Sequence, residues 1–168
     1  MELFDITVSY LEMLAPPHYE VPAPREGLLV LRAQKPYVPY YRFLYQAVGE
    51  EYRWLSRRKL SDEAFAAIIH DPLDEVHVLY VNGSPAGFAE LDCRQAEEIE
   101  LVQFGLMREF HGQGLGKWFL EWVIAKAWSH HPKRFWLHTC TLDHPRALPL
   151  YQKAGFVLYK QENFRREW

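Results

Sequence analysis

The sequence predicts a single-domain protein of the α/β class, on three observations. The chain has 168 residues, which is the usual size of one domain. Hydrophobic residues make up 49% and charged residues 24%, as in globular proteins, which excludes an intrinsically disordered chain. Segments rich in strand-forming residues alternate along the chain with segments whose apolar residues recur at helical spacing.

Charge and apolar patterning exclude several classes of function. The 19 Lys and Arg residues and 22 Asp and Glu residues give a net charge of −3, whereas a nucleic-acid-binding protein would carry a basic excess. No apolar run approaches the roughly 18 residues of a membrane-spanning helix, and the start of the chain lacks the basic segment of a signal peptide. Cys93 and Cys140 form no disulfide framework. We therefore expect a cytoplasmic protein that binds neither nucleic acid nor membranes.

The first part of the chain is predicted to contain two strands and two helices. Residues 1–24 form a proline-rich, extended lead-in with one short strand at 5–10. The elements that follow are a strand at 27–33, an aromatic-rich helix at 39–56 and a helix at 61–70. Ser61 is the predicted N-cap of the last of these, because Asp62 and Glu63 follow it in the first turn, where the helix dipole favours negative charge.

The second part is predicted to contain five strands and two helices. Asn82-Gly83 is a strong hairpin signal, and Gly155 is suited to the position after a helix. The predicted strands are 76–81, 86–93, 98–107, 134–141 and 156–161, and the predicted helices are 115–129 and 146–154. No repeat or linker interrupts this order, so we expect one domain.

A glycine-rich loop between the strand 98–107 and the helix 115–129 is the sharpest local feature. It reads His111-Gly112-Gln113-Gly114-Leu115-Gly116-Lys117, and such a loop before a helix N-terminus can bind a pyrophosphate through backbone N–H groups. A Walker loop would need glycine at 111 and a hydroxyl at 118, where the chain has His111 and Trp118. A dinucleotide-binding loop would need glycine at 117. A tight turn without a ligand remains the alternative.

Two motifs together resemble the GNAT (GCN5-related N-acetyltransferase) superfamily. The family's acetyl-CoA loop is Gln/Arg-x-x-Gly-x-Gly/Ala; Gly114 and Gly116 fit its small positions, and His111 stands in place of Gln or Arg. Residues 143–156 are similar to the family's Asn-x-x-Ala-x-x-x-Tyr-x-x-x-Gly-Phe segment, with His144 in place of Asn. The order of elements from 27 to 161 also follows the family.

The resemblance implies a fold and an acetyl donor. The fold is a mixed, mostly antiparallel sheet flanked by about four helices and splayed between its fourth and fifth strands, here 98–107 and 134–141. Acetyl-CoA would lie in this splay, with its pantetheine arm paired to the backbone of Phe104, Gly105 and Leu106. The backbone N–H near Leu106 would polarise the thioester carbonyl.

The pyrophosphate would be bound by the backbone N–H groups of Gly112, Gln113, Gly114, Leu115, Gly116 and Lys117. Either Lys117 or Arg108 would add positive charge. The alternative for Lys117 is an ion pair with Glu121, four residues further along the helix.

Glu100 is the first candidate for the general base. It precedes Gly114 by fourteen residues, a spacing that resembles family members with a glutamate base. Strand alternation predicts that it shares a face with Val102, Phe104 and Leu106, where desolvation would raise its pKa. The alternatives are a solvated or arginine-paired glutamate. Glu90 and Asp92 on the adjacent strand, or a water molecule, are rival bases.

Tyr151 is the candidate general acid, because the resemblance places it beside the sulfur of CoA and a phenol can protonate an alkyl thiolate. His144 would bind the cofactor or cap the helix. The histidines at 130, 131, 138 and 144 lack a metal-ligand spacing, so no metal is predicted. Cys140 is expected to be a core residue.

These features predict an acetyl-CoA-dependent N-acetyltransferase that transfers the acetyl group directly to a primary amine of a small-molecule or amino-acid-like acceptor. The aromatic cluster 37–54 would line the acceptor side or pack in the core. Two alternatives remain open: a protein N-acetyltransferase and a non-catalytic acyl-CoA-binding sensor. The resemblance also implies that the protein can form a homodimer.

Overall fold

The computed structural model describes residues 3–20, 22–50, 52, 54 and 57–167. In these residues seven strands and four helices follow one another along the chain. The strands are β1 (Leu3–Met13), β2 (Leu28–Arg32), β3 (Asp74–Val81), β4 (Ser84–Asp92), β5 (Glu98–Leu106), β6 (Arg134–Cys140) and β7 (Val157–Glu167). The helices are α1 (Val38–Gly49), α2 (Asp62–Ile69), α3 (Leu115–Trp128) and α4 (Ala147–Lys153).

The strands form one mixed sheet in the order β2-β3-β4-β5-β6-β1-β7. Five of its pairings are antiparallel, and only β5 and β6 run parallel among the strands described. A parallel pair needs a crossover connection, and α3 supplies it. The predicted class, a mostly antiparallel sheet flanked by four helices, is confirmed. No helix in the described ranges is long and apolar enough to cross a membrane.

The sheet splays open between β5 and β6. Pairing runs from Glu98 opposite Arg134 to Glu100 opposite Trp136. In the part of the chain described, both strands continue beyond this point without further mutual pairing, β5 to Leu106 and β6 to Cys140. The predicted splay is therefore present, and Glu100 is the last residue of β5 that pairs with β6.

A β-bulge in β5 lies just beyond Glu100. Leu91 of β4 lies opposite Leu101, whereas Glu90 lies opposite Gln103, so Val102 is the extra residue. Bulges bend a strand and increase its twist. This one coincides with the point where β5 turns away from β6.

Each face of the sheet carries its own buried cluster. On the α1–α2 face the helices pack against β3 and β4; this cluster includes Tyr41, Leu44, Phe65, Ile69, Val76, Val78 and Phe88. The α3–α4 face carries the larger cluster, including Leu11, Leu91, Leu101, Leu106, Phe119, Leu120 and Tyr151. The two faces meet at the gap between β5 and β6.

The bulge moves Glu100 to the face opposite to the one predicted. Leu101 belongs to the α3–α4 cluster, so its neighbour Glu100 lies on the α1–α2 face, opposite Asp92. Phe104 and Leu106 pack with the α3–α4 cluster. The prediction that Glu100 shares a face with Val102, Phe104 and Leu106 is wrong, because simple alternation does not allow for the extra residue.

Helix α1 ends earlier than predicted, at Gly49 rather than near residue 56. The backbone N–H groups of Tyr52 and Trp54 both donate to the carbonyl of Gly49, so the chain folds back over the helix end. A Cβ on Gly49 would lie 2.6 Å from the Trp54 side chain, which shows that glycine permits this close return. Residues 51, 53, 55 and 56 of the predicted helix lie outside the described residues.

The second helix begins as predicted. Ser61 Oγ accepts a hydrogen bond from the backbone N–H of Ala64 at 3.2 Å, and Asp62 and Glu63 occupy the first turn. By contrast, the predicted short strand at 5–10 is part of the eleven-residue β1, which lies inside the sheet between β6 and β7. The last strand also extends further than predicted, to Glu167.

Candidate active site

The glycine loop presents the N-terminus of α3. Gly112 and Gly114 have φ values of +77° and +75°, a conformation that favours glycine, and a Cβ on either would meet no atom within 4 Å. In the described part of the chain no side chain caps α3. The N–H groups of its first turn therefore have no capping side chain from the described residues, which is the arrangement that an anion site requires. The residues present fit a pyrophosphate.

The rest of the loop holds this turn in place. Leu115 is buried. Gly116 lies against Leu106 and Leu150: a Cβ at this position would lie 3.8 Å from the Leu106 methyl group and 3.9 Å from that of Leu150. Gln113 is exposed. Lys117 is also exposed, and its Nζ lies 4.0 Å from Glu121 Oε1, so the ion-pair alternative is the arrangement observed. Arg108 lies in the 3₁₀ turn before the loop.

The two histidines that depart from the family pattern contact each other. The rings of His111 and His144 lie edge to face with centroids 5.4 Å apart, which joins the glycine loop to the segment before α4. His111 Nε2 donates to the carbonyl of Leu106 at 2.9 Å. His144 Nδ1 accepts from the backbone N–H of Arg146 at 3.0 Å, so this histidine orders the start of α4.

Both faces of the sheet contribute to the walls of the splay. Phe104 lies on the α3–α4 face, stacked on Phe119 at 5.5 Å and edge-on to Tyr151 at 6.1 Å. Gly105 lies on the α1–α2 face, where a Cβ would lie 2.5 Å from Val48 Cγ1. Glycine at 105 therefore lets α1 approach the edge of the splay.

Glu100 lies where β5 and β6 part. Its side chain is 21% exposed, and burial together with the negative charge of Asp92 raises its pKa to about 7. His138 on β6 places Nε2 at 3.7 Å from Glu100 Oε1. Burial lowers the pKa of His138, which favours its neutral form. A carboxylate that titrates near neutral pH is suited to general-base chemistry.

Glu90, the first alternative to Glu100 as general base, forms structural contacts with its neighbours. It is fully buried, and both of its carboxylate oxygens lie 2.7 Å from Arg57 Nη1. Tyr41 also donates a short hydrogen bond to it. Asp74, a buried neighbour, has its pKa raised to about 9 by burial and by the charge of Glu90, so it is protonated at neutral pH. Glu90 is thus fully buried and held by Arg57 and Tyr41.

The rival Asp92 is also engaged. Arg94 Nε and Nη2 each donate to its carboxylate at 2.9 Å. These hydrogen bonds lower the pKa of Asp92, which makes it a weaker base than an ordinary aspartate. Of the three carboxylates considered from the sequence, Glu100 has the basicity and the position that a general base requires.

Tyr151 lies on the opposite face, in α4. It is buried against Phe104 and Phe156, and burial together with the charge of Asp143 raises its pKa. The phenol is therefore protonated at neutral pH. The sequence predicts that Glu100 and Tyr151 belong to one site. In the structure Glu100 lies on the α1–α2 face of the sheet and Tyr151 on the α3–α4 face, and the gap between β5 and β6 opens between these two faces.

Several site-forming contacts were not foreseen from the sequence. Trp54 Nε1 donates to Asp143 Oδ1 at 3.3 Å, and Tyr52 lies edge to face with His144 at 5.8 Å. The chain after α1 therefore reaches the segment before α4. Of the aromatic cluster 37–54, Tyr41 and Tyr45 are core residues, whereas Tyr52 and Trp54 lie near the splay. No local pattern could have separated these two groups.

A separate depression of about 220 Å³ lies over α1 and α2. It is lined by Arg42, Tyr45, Gln46, Arg58 and Phe65, and by none of the residues predicted for catalysis. Arg42 there is already paired with Asp62 at 2.9 Å. The chemistry of the carboxylates and of the glycine loop therefore locates the candidate site at the splay instead.

A splayed sheet with a glycine loop before the crossover helix defines a class of acyl-CoA-dependent transferases. The sequence profile of the Acetyltransferase (GNAT) family matches residues 41–156, more than half of the chain. The chain therefore belongs to the GNAT family of acetyltransferases.

Individual relatives agree with this family. An uncharacterized N-acetyltransferase of Mycobacterium bovis is 28% identical over 106 residues, which cover 63% of this chain and 67% of that protein. The structure of a GCN5-related N-acetyltransferase from Sphaerobacter thermophilus matches 96% of this chain with a TM-score of 0.69 and 19% identity. This match covers 51% of that chain, so the present chain spans about half its length.

A GNAT family acetyltransferase from Elizabethkingia anophelis, solved with acetyl-CoA bound, matches 81% of this chain and 80% of its own with a TM-score of 0.58 and 21% identity. At these identities the two structures show a shared fold.

Proposed function

We propose that this protein is an N-acetyltransferase that moves the acetyl group of acetyl-CoA directly to a primary amine of a small-molecule or amino-acid-like acceptor. The observation that carries the proposal is the position of Glu100, at the last paired residue of β5, with its pKa raised to about 7. A group that titrates there can accept a proton from an amine that enters the splay from the α1–α2 face.

Acetyl-CoA as the donor substrate supplies an acetyl thioester whose carbonyl carbon is attacked by an unprotonated amine. The first-turn N–H groups of α3 would bind the pyrophosphate, since they are uncapped and aligned with the helix dipole. The backbone of Phe104 to Leu106 would pair with the pantetheine arm. The match with a relative solved with acetyl-CoA bound supports the same donor here.

Glu100 would accept one proton in the reaction, and Tyr151 would donate another. A carbon–nitrogen bond forms and the carbon–sulfur bond breaks; Glu100 takes the proton from the amine, and Tyr151 donates one to the departing thiolate. Their positions on opposite faces of the sheet support this division, because one group can then face the amine nitrogen while the other faces the sulfur. The raised pKa of Tyr151 means that the phenol holds its proton at neutral pH.

The charge of the α1–α2 face supports an amine as the acceptor. Glu90 and Asp92 on this face are already paired with Arg57 and Arg94, so the ionised carboxylate of Glu100 is the group that would attract an amine arriving as an ammonium ion. Tyr52 and Trp54 lie nearby, and aromatic faces also bind cations. Both cysteines are free thiols, which suits the cytoplasm.

The proposal is tested by calorimetric titration with acetyl-CoA, CoA and ATP, followed by a panel of amines assayed for thiol release. We expect acetyl-CoA to bind in the micromolar range, ATP to give no heat, and at least one small amine to release CoA. Donor binding without release from any small amine would contradict the small-molecule acceptor. Absence of donor binding would contradict the whole proposal.

A further inference from the structure

A cluster of metal-ligating side chains lies at the other end of α3 from the glycine loop. It joins Glu75 on β3, Cys93 just after β4 and His130 just after α3. One ligand atom from each of the three lies within 4.8 Å of the other two. Sequence spacing predicts no metal site, because the three residues come from three separate elements that only the fold brings together.

The distances within the cluster are close to those of a coordination sphere. Glu75 Oε2 lies 2.8 Å from His130 Nε2 and 4.0 Å from Cys93 Sγ. Around a tetrahedral zinc ion, with bonds of about 2.0–2.3 Å, neighbouring ligand atoms are roughly 3.3–3.8 Å apart. Small rotations of exposed His130 and of Cys93 would bring the measured distances into this range.

A fourth side chain orients the carboxylate. His77 Nε2 lies 2.8 Å from Glu75 Oε1, the oxygen that does not face Cys93 and His130. His77 is buried and lies edge to face with Trp122 of α3 at 5.3 Å, so its ring is fixed. Metal sites characteristically have such an outer hydrogen bond to a coordinating group.

The site combines a rigid base with an accessible opening. Glu75 is 4% exposed, whereas the side chain of His130 is 38% exposed and can admit an ion from solvent. Three protein ligands leave one position for water. The set of thiolate, imidazole and carboxylate suits zinc, while magnesium and calcium prefer oxygen ligands alone.

We propose that Glu75, Cys93 and His130 bind one divalent ion of the zinc class, with His77 as the positioning residue for Glu75. The ion would tie β3 and the end of β4 to the C-terminal end of α3. Binding to the thiol of Cys93 displaces one proton, which is released to solvent. Since α3 has 14 residues and is about 21 Å long, this site is separate from the acetyl-donor site.

The test uses the full chain without a histidine tag, titrated first with Co²⁺ and then with Zn²⁺. We expect one Co²⁺ per chain, with a thiolate-to-cobalt charge-transfer band that Zn²⁺ abolishes. C93S should lose this band. H130N should weaken Zn²⁺ affinity by at least about tenfold, since loss of an outer-shell partner alone costs about 10–100-fold.

Matched controls distinguish the site from adventitious binding. C140S removes the other free thiol, and H131N changes the adjacent histidine, whose φ of +55° asparagine tolerates. Both should bind Co²⁺ and Zn²⁺ as the unmodified chain does. Circular dichroism and thermal melting of each metal-free variant establish that it is folded.

Absence of saturable binding by the folded chain would overturn the proposal, leaving Glu75 with its contacts to His77 and His130 at 2.8 Å. A charge-transfer band that persists in C93S, or disappears equally in C140S, would also overturn it.

Discussion

Four carboxyl groups on the α1–α2 face differ in protonation and pairing, although they lie on neighbouring strands. Asp74 is protonated, because burial beside Glu90 raises its pKa to about 9. Glu90 is paired with Arg57, and Asp92 is hydrogen-bonded to Arg94. Among the four, Glu100 combines a pKa of about 7 with a position at the splay. Such separation of neighbouring titratable groups is how acid and base roles are divided in an active site.

Replacement of the base tests this division. E100Q should lower kcat/KM by about 10²–10⁴-fold, the usual contribution of a general base. In the unmodified chain, kcat/KM should rise with pH through about 7, because the carboxyl must lose its proton before it can accept one. The measurement is the pH–rate profile of both proteins, with E98Q as control. Equal activity of E100Q would exclude Glu100 as the base.

The same pKa predicts a pH-dependent stability. The folded state holds the Glu100 proton up to about pH 7, whereas the unfolded state releases it near the ordinary glutamate pKa of 4.5. Raising the pH from about 4.5 to about 7 therefore destabilises the fold through this group. E100Q removes this cost, so its Tm should exceed that of the unmodified chain at pH 8 and match it near pH 4. Thermal melting at several pH values measures the difference; an equal Tm at pH 8 would contradict the desolvation of Glu100.

Tyr151 provides a second test at the residue scale. Y151F keeps the ring that packs on Phe104 and Phe156 and removes the proton donor. Acetyl-CoA affinity should stay within a few-fold, while kcat falls strongly. Calorimetry and steady-state kinetics on the same preparation separate the two effects. If kcat is unchanged, Tyr151 is not the general acid.

At the scale of single elements, the turn before α3 and the bulge in β5 determine the site. The turn leaves the N–H groups of the first helical turn exposed, since Gly114 adopts a left-handed conformation without a capping side chain. The bulge at Val102 reverses the alternation of β5, so that Glu100 and Phe104 lie on opposite faces. Both features depend on one or two residues within otherwise regular elements.

The glycine turn can be tested with a matched pair of variants. G114A and G83A each place a Cβ at positive φ in open space, at +75° and +86°, with a strain of about 1–2 kcal/mol. Both should lose similar stability in urea unfolding. Only G114A should raise the KM for acetyl-CoA, because Gly83 lies in the β3–β4 hairpin. An equal KM in both variants would argue against the loop as the pyrophosphate site.

At the scale of the whole molecule, the two ends of the chain complete the sheet together. β1 pairs with β6 on one side and with β7 on the other, and Leu3 lies opposite Glu167. β6 forms one wall of the splay, and β1 pairs with β6 along its other edge, so β1 helps to hold this wall in position. Contacts between such distant segments make the fold depend on long-range pairing.

A substitution that creates a cavity beside β1 tests how far the stability of the fold depends on this strand. Leu11 is fully buried between Leu137 of β6 and Leu158 of β7, so L11A should destabilise the fold by about 2–5 kcal/mol. L3A, on the same strand but 63% exposed, should change stability by less than about 0.5 kcal/mol. Denaturant unfolding measures both. Similar small effects would mean that β1 contributes little to the sheet.

The order of the elements, the cap at Ser61, the hairpin turn and the two motifs follow from residues close together in the sequence. Local signals of this kind act through backbone propensity and hydrogen bonds over a few residues, so the sequence alone sufficed to predict the fold class and the family. The candidate residues Glu100, Tyr151 and the glycine loop were recognised in the same way. Their roles still depend on their surroundings.

Only the tertiary structure decided those surroundings. The face on which Glu100 lies depends on a one-residue register shift against β4, and its pKa depends on burial near Asp92. The return of the chain at Gly49, which brings Trp54 to Asp143, requires a contact between residues 89 positions apart. The cluster of Glu75, Cys93 and His130 likewise joins three elements. Strand register and desolvation arise because segments distant in sequence pack together, so local sequence patterns do not predict them.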